Sequence, residues 1–177
     1  MKKIETPIKD LIILQREIQY DERGSVTRLY GKNELIQLGH PIDIASLIHS
    51  TNLLAGTLRG IHFQNAPFKE TKIISCINGS IWDVGIDLRR ESPTRFQWFG
   101  LELTPTNGFS LLVPEGFGHG FITLKPESTA LYAISAPHSL AHENGVRFDD
   151  PLIGIEWPHK ISKIAARDLS WPYLEEN

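Results

Sequence analysis

Glycine and proline interrupt this 177-residue chain so often, 14 and 11 times, that no long helix fits between them. The intervening runs are short and rich in β-branched and aromatic residues. Residues 12–14, 72–77, 81–86, 96–103, 109–113 and 130–135 read as strands. Asn78-Gly79 and Asn107-Gly108 fall between such runs and predict hairpin turns, because both residue types tolerate positive φ. Helical patterning is thin and confined to 32–38 and 161–167. Many short strands with regular turns predict an all-β jelly roll, a sandwich or barrel. One domain over 1–177 is expected, with the tail from Trp157 packed back on it.

The charge balance narrows the function classes. A formal net charge of −3 without clustered Lys and Arg gives no nucleic-acid surface. Cys76 is the only cysteine, so no intramolecular disulfide can form; in the apolar run Ile73 to Ile77 it reads as a small buried hydrophobe. The N-terminus reads as neither signal peptide nor anchor, and no run approaches the ~18–20 apolar residues of a membrane helix. A soluble, cytoplasmic protein is expected.

Two histidines stand out. His62 lies in Gly56-Thr57-Leu58-Arg59-Gly60-Ile61-His62-Phe63-Gln64, and His119 in Pro114-Glu115-Gly116-Phe117-Gly118-His119-Gly120-Phe121. Imidazole ligates metals and also moves protons near neutral pH. A metal site wants at least three converging ligands. His62, His119 and Glu70 are candidates, but Gln64 occupies the strand-face position two residues after His62, where a second histidine would serve best. The acid–base reading draws on Arg59, whose planar fork suits phosphate, Lys72 at the entry to a strand, and Asp83 and Tyr132 within strands. Taken singly, each has an ordinary use: His119 capping a loop, Asp83 satisfying a turn, Tyr132 filling the core. On the residues alone both readings stay open, and only the set favours a site.

Those motifs, with Trp82 to Arg89, Ser92-Pro93-Thr94, Gly145 to Pro151 and Gly154-Ile155-Glu156-Trp157-Pro158, resemble in order and spacing the dTDP-4-dehydrorhamnose 3,5-epimerase family. The resemblance runs from about Asp21 to Asp168. It implies a cupin-type jelly-roll β-barrel with short flanking helices, no metal or other cofactor, and a homodimer with an exchanged N-terminal segment. It implies a nucleotide-diphosphate sugar as substrate, dTDP-linked by preference, and no nucleic-acid or membrane partner. By the same resemblance His62 is the base, oriented by Asp168. Lys72 stabilises the enolate oxygen, and Tyr132 is the acid on the far side of the ring. Asp83 and His119 line the pocket, and Arg23 and Arg59 hold the diphosphate. Beside the residues that the resemblance carries over, Gln64 and His138 are candidate substrate-binding residues, His138 by a hydrogen bond to the sugar or diphosphate.

The chain departs from the family pattern in places. Ser25-Val26 stand where the family usually has two phenylalanines, one stacking on the base, and Leu47 stands where a polar residue is common near the nucleotide. His138 follows Pro137 where a tyrosine ahead of a proline is usual. A mono-epimerase of a different keto sugar is therefore the alternative enzyme, and a sugar-nucleotide-binding module without turnover is the alternative from another class.

Overall fold

The computed structural model describes residues 1–175; the last two residues of the expected 1–177 domain lie outside them. Two sheets face each other. The first has the order β1 (Lys2–Glu5), β2 (Ile12–Gln15), β10 (Phe109–Val113), β7 (Lys72–Asn78), β12 (Ser128–Ile134), β5 (Ser46–Asn52). The second has the order β13 (Glu143–Gly145), β6 (Thr57–Gln64), β11 (Phe117–Thr123), β8 (Ile81–Asp87), β9 (Trp98–Leu103), with β14 (Lys163–Ile164) also beside β6. A separate hairpin joins β3 (Ile18–Asp21) to β4 (Gly24–Thr27), and the helices are α1 (Lys32–Gln37) and α2 (Ala166–Leu169). From β5 to β13 the chain changes sheet at every link except β8 to β9, which is jelly-roll wiring.

That wiring corrects the two predicted hairpins. Asn78-Gly79 joins β7 to β8, and Asn107-Gly108 lies between β9 and β10; each carries the chain from one sheet to the other. Positive φ serves any tight reversal, and which strands then pair is decided by tertiary packing. Gly79 has φ +74°, and a Cβ there would lie 2.3 Å from the Ser128 hydroxyl oxygen. Ser128 in turn accepts the Ser80 N–H at 3.0 Å, pinning the corner. The expected helix over 161–167 is also revised. Lys163–Ile164 is extended and pairs in parallel with Thr57 and Leu58 of β6, so the helix begins only at Ala166. A ladder to a strand edge outweighs a weak local helical preference.

Strand alternation sorts the side chains. Ile74, Cys76, Leu111, Phe117 and Phe121 meet between the sheets. Cys76 is buried as expected, and burial pushes its thiol up to about 11, leaving it a packing residue. Ile73, Leu112 and Ala133 face outward against Leu35 of α1 and Ile42. Outside the second sheet, Ile61, Val84 and Ile86 are covered by Val146, Ile153 and Trp157, so the tail does pack back on the sheet. Toward one end of the sandwich the interior residues turn polar.

Beyond β8 the long loop to β9 is held by Asp87, which is fully buried. Its carboxylate accepts from Arg89 Nη2 at 2.7 Å, Ser92 Oγ at 2.5 Å and Thr94 Oγ1 at 2.7 Å. Burial alone would raise this carboxyl, but the Arg89, Ser92 and Thr94 hydrogen bonds outweigh it and hold the group below the ordinary range. A carboxyl lowered on folding stabilises above the unfolded value of about 3.9, and that contribution is lost as pH falls through the folded value. Asp87→Ala is expected to cost about 3 kcal/mol, through hydrogen bonds lost to a charged group and the Ser92 and Thr94 hydroxyls left without their acceptor. Urea melts at neutral pH and near pH 3 check this: the gap between the two proteins should narrow at the acid end, and equal midpoints at neutral pH would contradict it.

Candidate active site

A cavity of about 350 Å³ opens at that polar end, walled by both sheets. From the second sheet it receives Arg59, His62 and Gln64 of β6, and His119 and Phe121 of β11. From the first come Ser46 and Ile48 of β5, Lys72 of β7, and Tyr132 and Ile134 of β12. His138, Glu143, Arg167 and Asp168 close its rim.

Arg59 and His62 are three residues apart, which in a regular strand would place them on opposite faces. A bulge resolves this. Opposite β11, His119 pairs with His62 and Phe121 with Arg59, so two steps on β11 meet three on β6. The extra residue turns both side chains into the cavity. Gly60 sits in the bulge with φ +123°, and a Cβ there would come within 2.6 Å of the Gly120 Cα. Two glycines are needed where these backbones cross.

The bulge also frees a backbone donor for a buried carboxylate. Gly60 N–H donates to Asp168 Oδ2 at 3.2 Å, and Asp168 Oδ1 lies 2.7 Å from His62 Nε2. Asp168 is 106 residues from His62 in sequence. It arrives because β14 runs beside the start of β6 and delivers α2 to the bulge. Burial works to raise the Asp168 carboxyl, but the His62 hydrogen bond, with the Gly60 N–H and nearby Arg167, holds it low. The carboxylate therefore accepts the Nε2 proton, and Nδ1 is the nitrogen left with a lone pair.

A second pair is more deeply placed. His119 Nε2 and Asp83 Oδ1 are 2.8 Å apart, both buried, and the His119 ring meets Tyr132 edge-on at 5.8 Å between centroids. Burial first, and the Asp83 charge second, push the Tyr132 phenol up, against a smaller opposite pull from Arg59. The phenol keeps its proton over the working pH range. Lys72 stands on the same sheet as Tyr132, ion-paired to Glu70 at 2.7 Å.

The structure thus brings nine of the ten expected residues to one place: eight line the cavity, and Asp83 stands behind His119. Arg23 does not join them. It lies between β3 and β4, largely exposed, bonded to Asp21. Gln64 reaches the wall, but it is 4% exposed and its amide is engaged by its own chain at both ends. Among the described residues no three His, Cys, Asp or Glu side chains are arranged to hold a metal ion.

Three further residues were not singled out from the sequence as part of the site. Asn52 accepts from Arg59 Nε at 2.7 Å and so aims the guanidinium. Glu143 accepts from Arg167 and, at 3.2 Å, from His138 Nε2, clasping the rim. Burial would raise Glu143, but those two partners hold its carboxyl below the ordinary range. Asn52 ends β5, Glu143 opens β13 and Arg167 lies in α2, and only the fold brings those three places together.

The sequence profile of the dTDP-4-dehydrorhamnose 3,5-epimerase family matches residues 5–176. A dTDP-4-dehydrorhamnose 3,5-epimerase of Salmonella typhimurium is 35% identical over 98% of this chain and 95% of its own length. One of Sinorhizobium fredii is 44% identical over 68% of this chain, a match spanning 63% of that relative. The crystal structure of the Bacillus anthracis dTDP-4-dehydrorhamnose 3,5-epimerase, with TDP and PPi bound, superposes with a TM-score of 0.94 at 39% identity, covering 98% of this chain and 99% of that one. With its fold, its histidine–aspartate pair and these matches, the chain belongs to the dTDP-4-dehydrorhamnose 3,5-epimerase family of isomerases.

Proposed function

We propose that this protein epimerises a nucleotide-linked 4-keto-6-deoxy sugar, of the dTDP-4-dehydro-6-deoxyglucose type, at the carbons flanking the ketone. One observation carries the reading: a base pair, His62–Asp168, and a protonated phenol, Tyr132, stand on facing walls of one cavity. Inversion at carbon needs a proton removed from one face and returned to the other, which is what two facing walls supply.

The C3 and C5 hydrogens are acidic only through the C4 ketone. His62 Nδ1 takes one of them, and Asp168 favours the imidazolium that forms. Each pK unit of mismatch between imidazolium and carbon acid costs ~1.4 kcal/mol. The enolate oxygen must therefore be stabilised, and the Lys72 ammonium in a water-poor wall is the group placed to do it. Tyr132 then gives its proton to the opposite face. Arg59, fixed by Asn52, is suited to the diphosphate.

Arg23 fits the same ligand only from a second copy. The β3–β4 hairpin carries it away from its own cavity and exposes Tyr20 and Val26, while edge strand β5 exposes Leu47 and Ile48. A homodimer exchanging this N-terminal segment would cover those side chains and bring Arg23 to the partner's site; a sedimenting mass of one chain under assay conditions would sink it. No helix among the described residues is long and apolar enough to cross a membrane. A single domain working in the cytoplasm is part of the same proposal.

The test is proton NMR of dTDP-4-keto-6-deoxyglucose with the protein in deuterated water. Deuterium at both C3 and C5 supports a 3,5-epimerase, and deuterium at one carbon a mono-epimerase. Tight binding with no exchange would mean a binding module or another substrate. His138 at the rim is the feature that favours the mono-epimerase as second reading. His138→Tyr, run alongside, is expected to change the ratio of C3 to C5 exchange, and an unchanged ratio removes His138 from the choice of carbon.

A further inference from the structure

The ammonium of Lys72 is not held by the cavity alone. Glu70 Oε1 lies 2.7 Å from Lys72 Nζ, both side chains almost wholly buried. The other carboxylate oxygen, Oε2, accepts from Gln64 Nε2 at 3.0 Å. That same nitrogen faces the carbonyls of Phe68 at 3.0 Å and Pro137 at 3.2 Å, while Gln64 Oε1 accepts the Ser139 N–H at 2.6 Å. Three acceptors around the nitrogen and one donor at the oxygen leave the amide a single orientation. Residue 70 consequently meets a donor on each side, Gln64 N–H and the ammonium of Lys72. Only a carboxylate accepts with both oxygens; an amide at that position would set N–H against N–H.

We propose that Gln64 and Glu70 are positioning residues for Lys72: the amide orients the carboxylate, and the carboxylate fixes the ammonium at the cavity wall. This rests on the reading that Lys72 stabilises the enolate. Gln64 then serves the reaction without touching substrate. It also ties the Lys72 wall to the 137–139 segment that carries His138, so cation and rim share one hydrogen-bonded frame.

The experiment compares wild type, Glu70→Gln, Lys72→Ala and the double variant by steady-state rates and deuterium exchange on dTDP-4-keto-6-deoxyglucose, with thermal melts to confirm folding. Glu70→Gln is expected to lower kcat by up to about a hundredfold, the scale of a misplaced catalytic group, with little change in KM. In the Lys72→Ala background the same change should lower the rate no further, because groups acting through one another are not additive. Wild-type kcat in Glu70→Gln overturns the proposal. So does an equal fold-loss in both backgrounds, which would mean that Glu70 supports the fold or the substrate on its own. Wild-type exchange in Lys72→Ala instead overturns the enolate role of Lys72 and the proposal with it. If Glu70→Gln does not fold, Gln64→Met carries the same cycle, with the same pattern expected and the same results overturning it.

Discussion

In deuterated water the His62→Ala protein is expected to exchange the C3 and C5 hydrogens of the keto sugar ~10⁴-fold more slowly than wild type, at the upper end for loss of a positioned base. That is about 5.5 kcal/mol of transition-state stabilisation. The expectation is large because His62 is the cavity group in which a basic nitrogen is held by a buried carboxylate on its other side. His119, the second imidazole, has its own carboxylate but is itself buried, which leaves it poorly placed to reach a sugar carbon. Asp168→Asn should fall between the two proteins. An amide would offer N–H where the carboxylate accepts, favouring the tautomer in which Nε2 carries no proton. Binding of the nucleotide sugar, read by calorimetry, should survive both changes. Near-wild-type exchange in His62→Ala would place the base elsewhere.

β6 and β11, two of the strands that build the site, were illegible in the sequence. Runs such as 72–77 and 81–86 are apolar on at least one face and announce themselves through β-branched residues; they form β7 and β8 as expected. β6 and β11 do not. Arg59, Gly60, His62, Gln64, Gly118, His119 and Gly120 were placed there by chemistry and close backbone approach, at the expense of strand propensity. The bulge that aligns Arg59 with His62 is a property of two strands at once and has no local signature. Both Asn-Gly pairs signalled a reversal correctly, yet the sheet on the far side of each could not be read from the pair. Asp168 illustrates the other route. Nothing local marks it as a partner for His62; the resemblance named it, and the parallel contact of β14 with β6 explains physically how it gets there. Arg23 shows the limit of carrying a motif over by order along the chain, since it lies outside the cavity of its own fold.

Tyr132→Phe should separate two events that the wild-type protein performs together. With His62 and Lys72 intact, proton abstraction and enolate formation continue, so deuterium still enters the sugar. What is lost is the donor on the wall facing His62. The imidazolium formed by His62 then returns its proton, or a solvent deuteron exchanged onto it, to the face from which it came. The product is substrate labelled with retention, and inverted sugar should fall by ~10²–10⁴, the range for loss of a positioned acid, while exchange falls far less. Removing one hydroxyl from a ring packed against Phe121 and His119 leaves the shape of the core in place, and the thermal midpoint should move little. The prediction depends on the phenol holding its proton, as burial and the neighbouring Asp83 charge ensure. If inversion and exchange fell in equal proportion, Tyr132 would be acting before or at proton abstraction. The two-wall account of this cavity would then have to give way to one in which a single wall does both transfers.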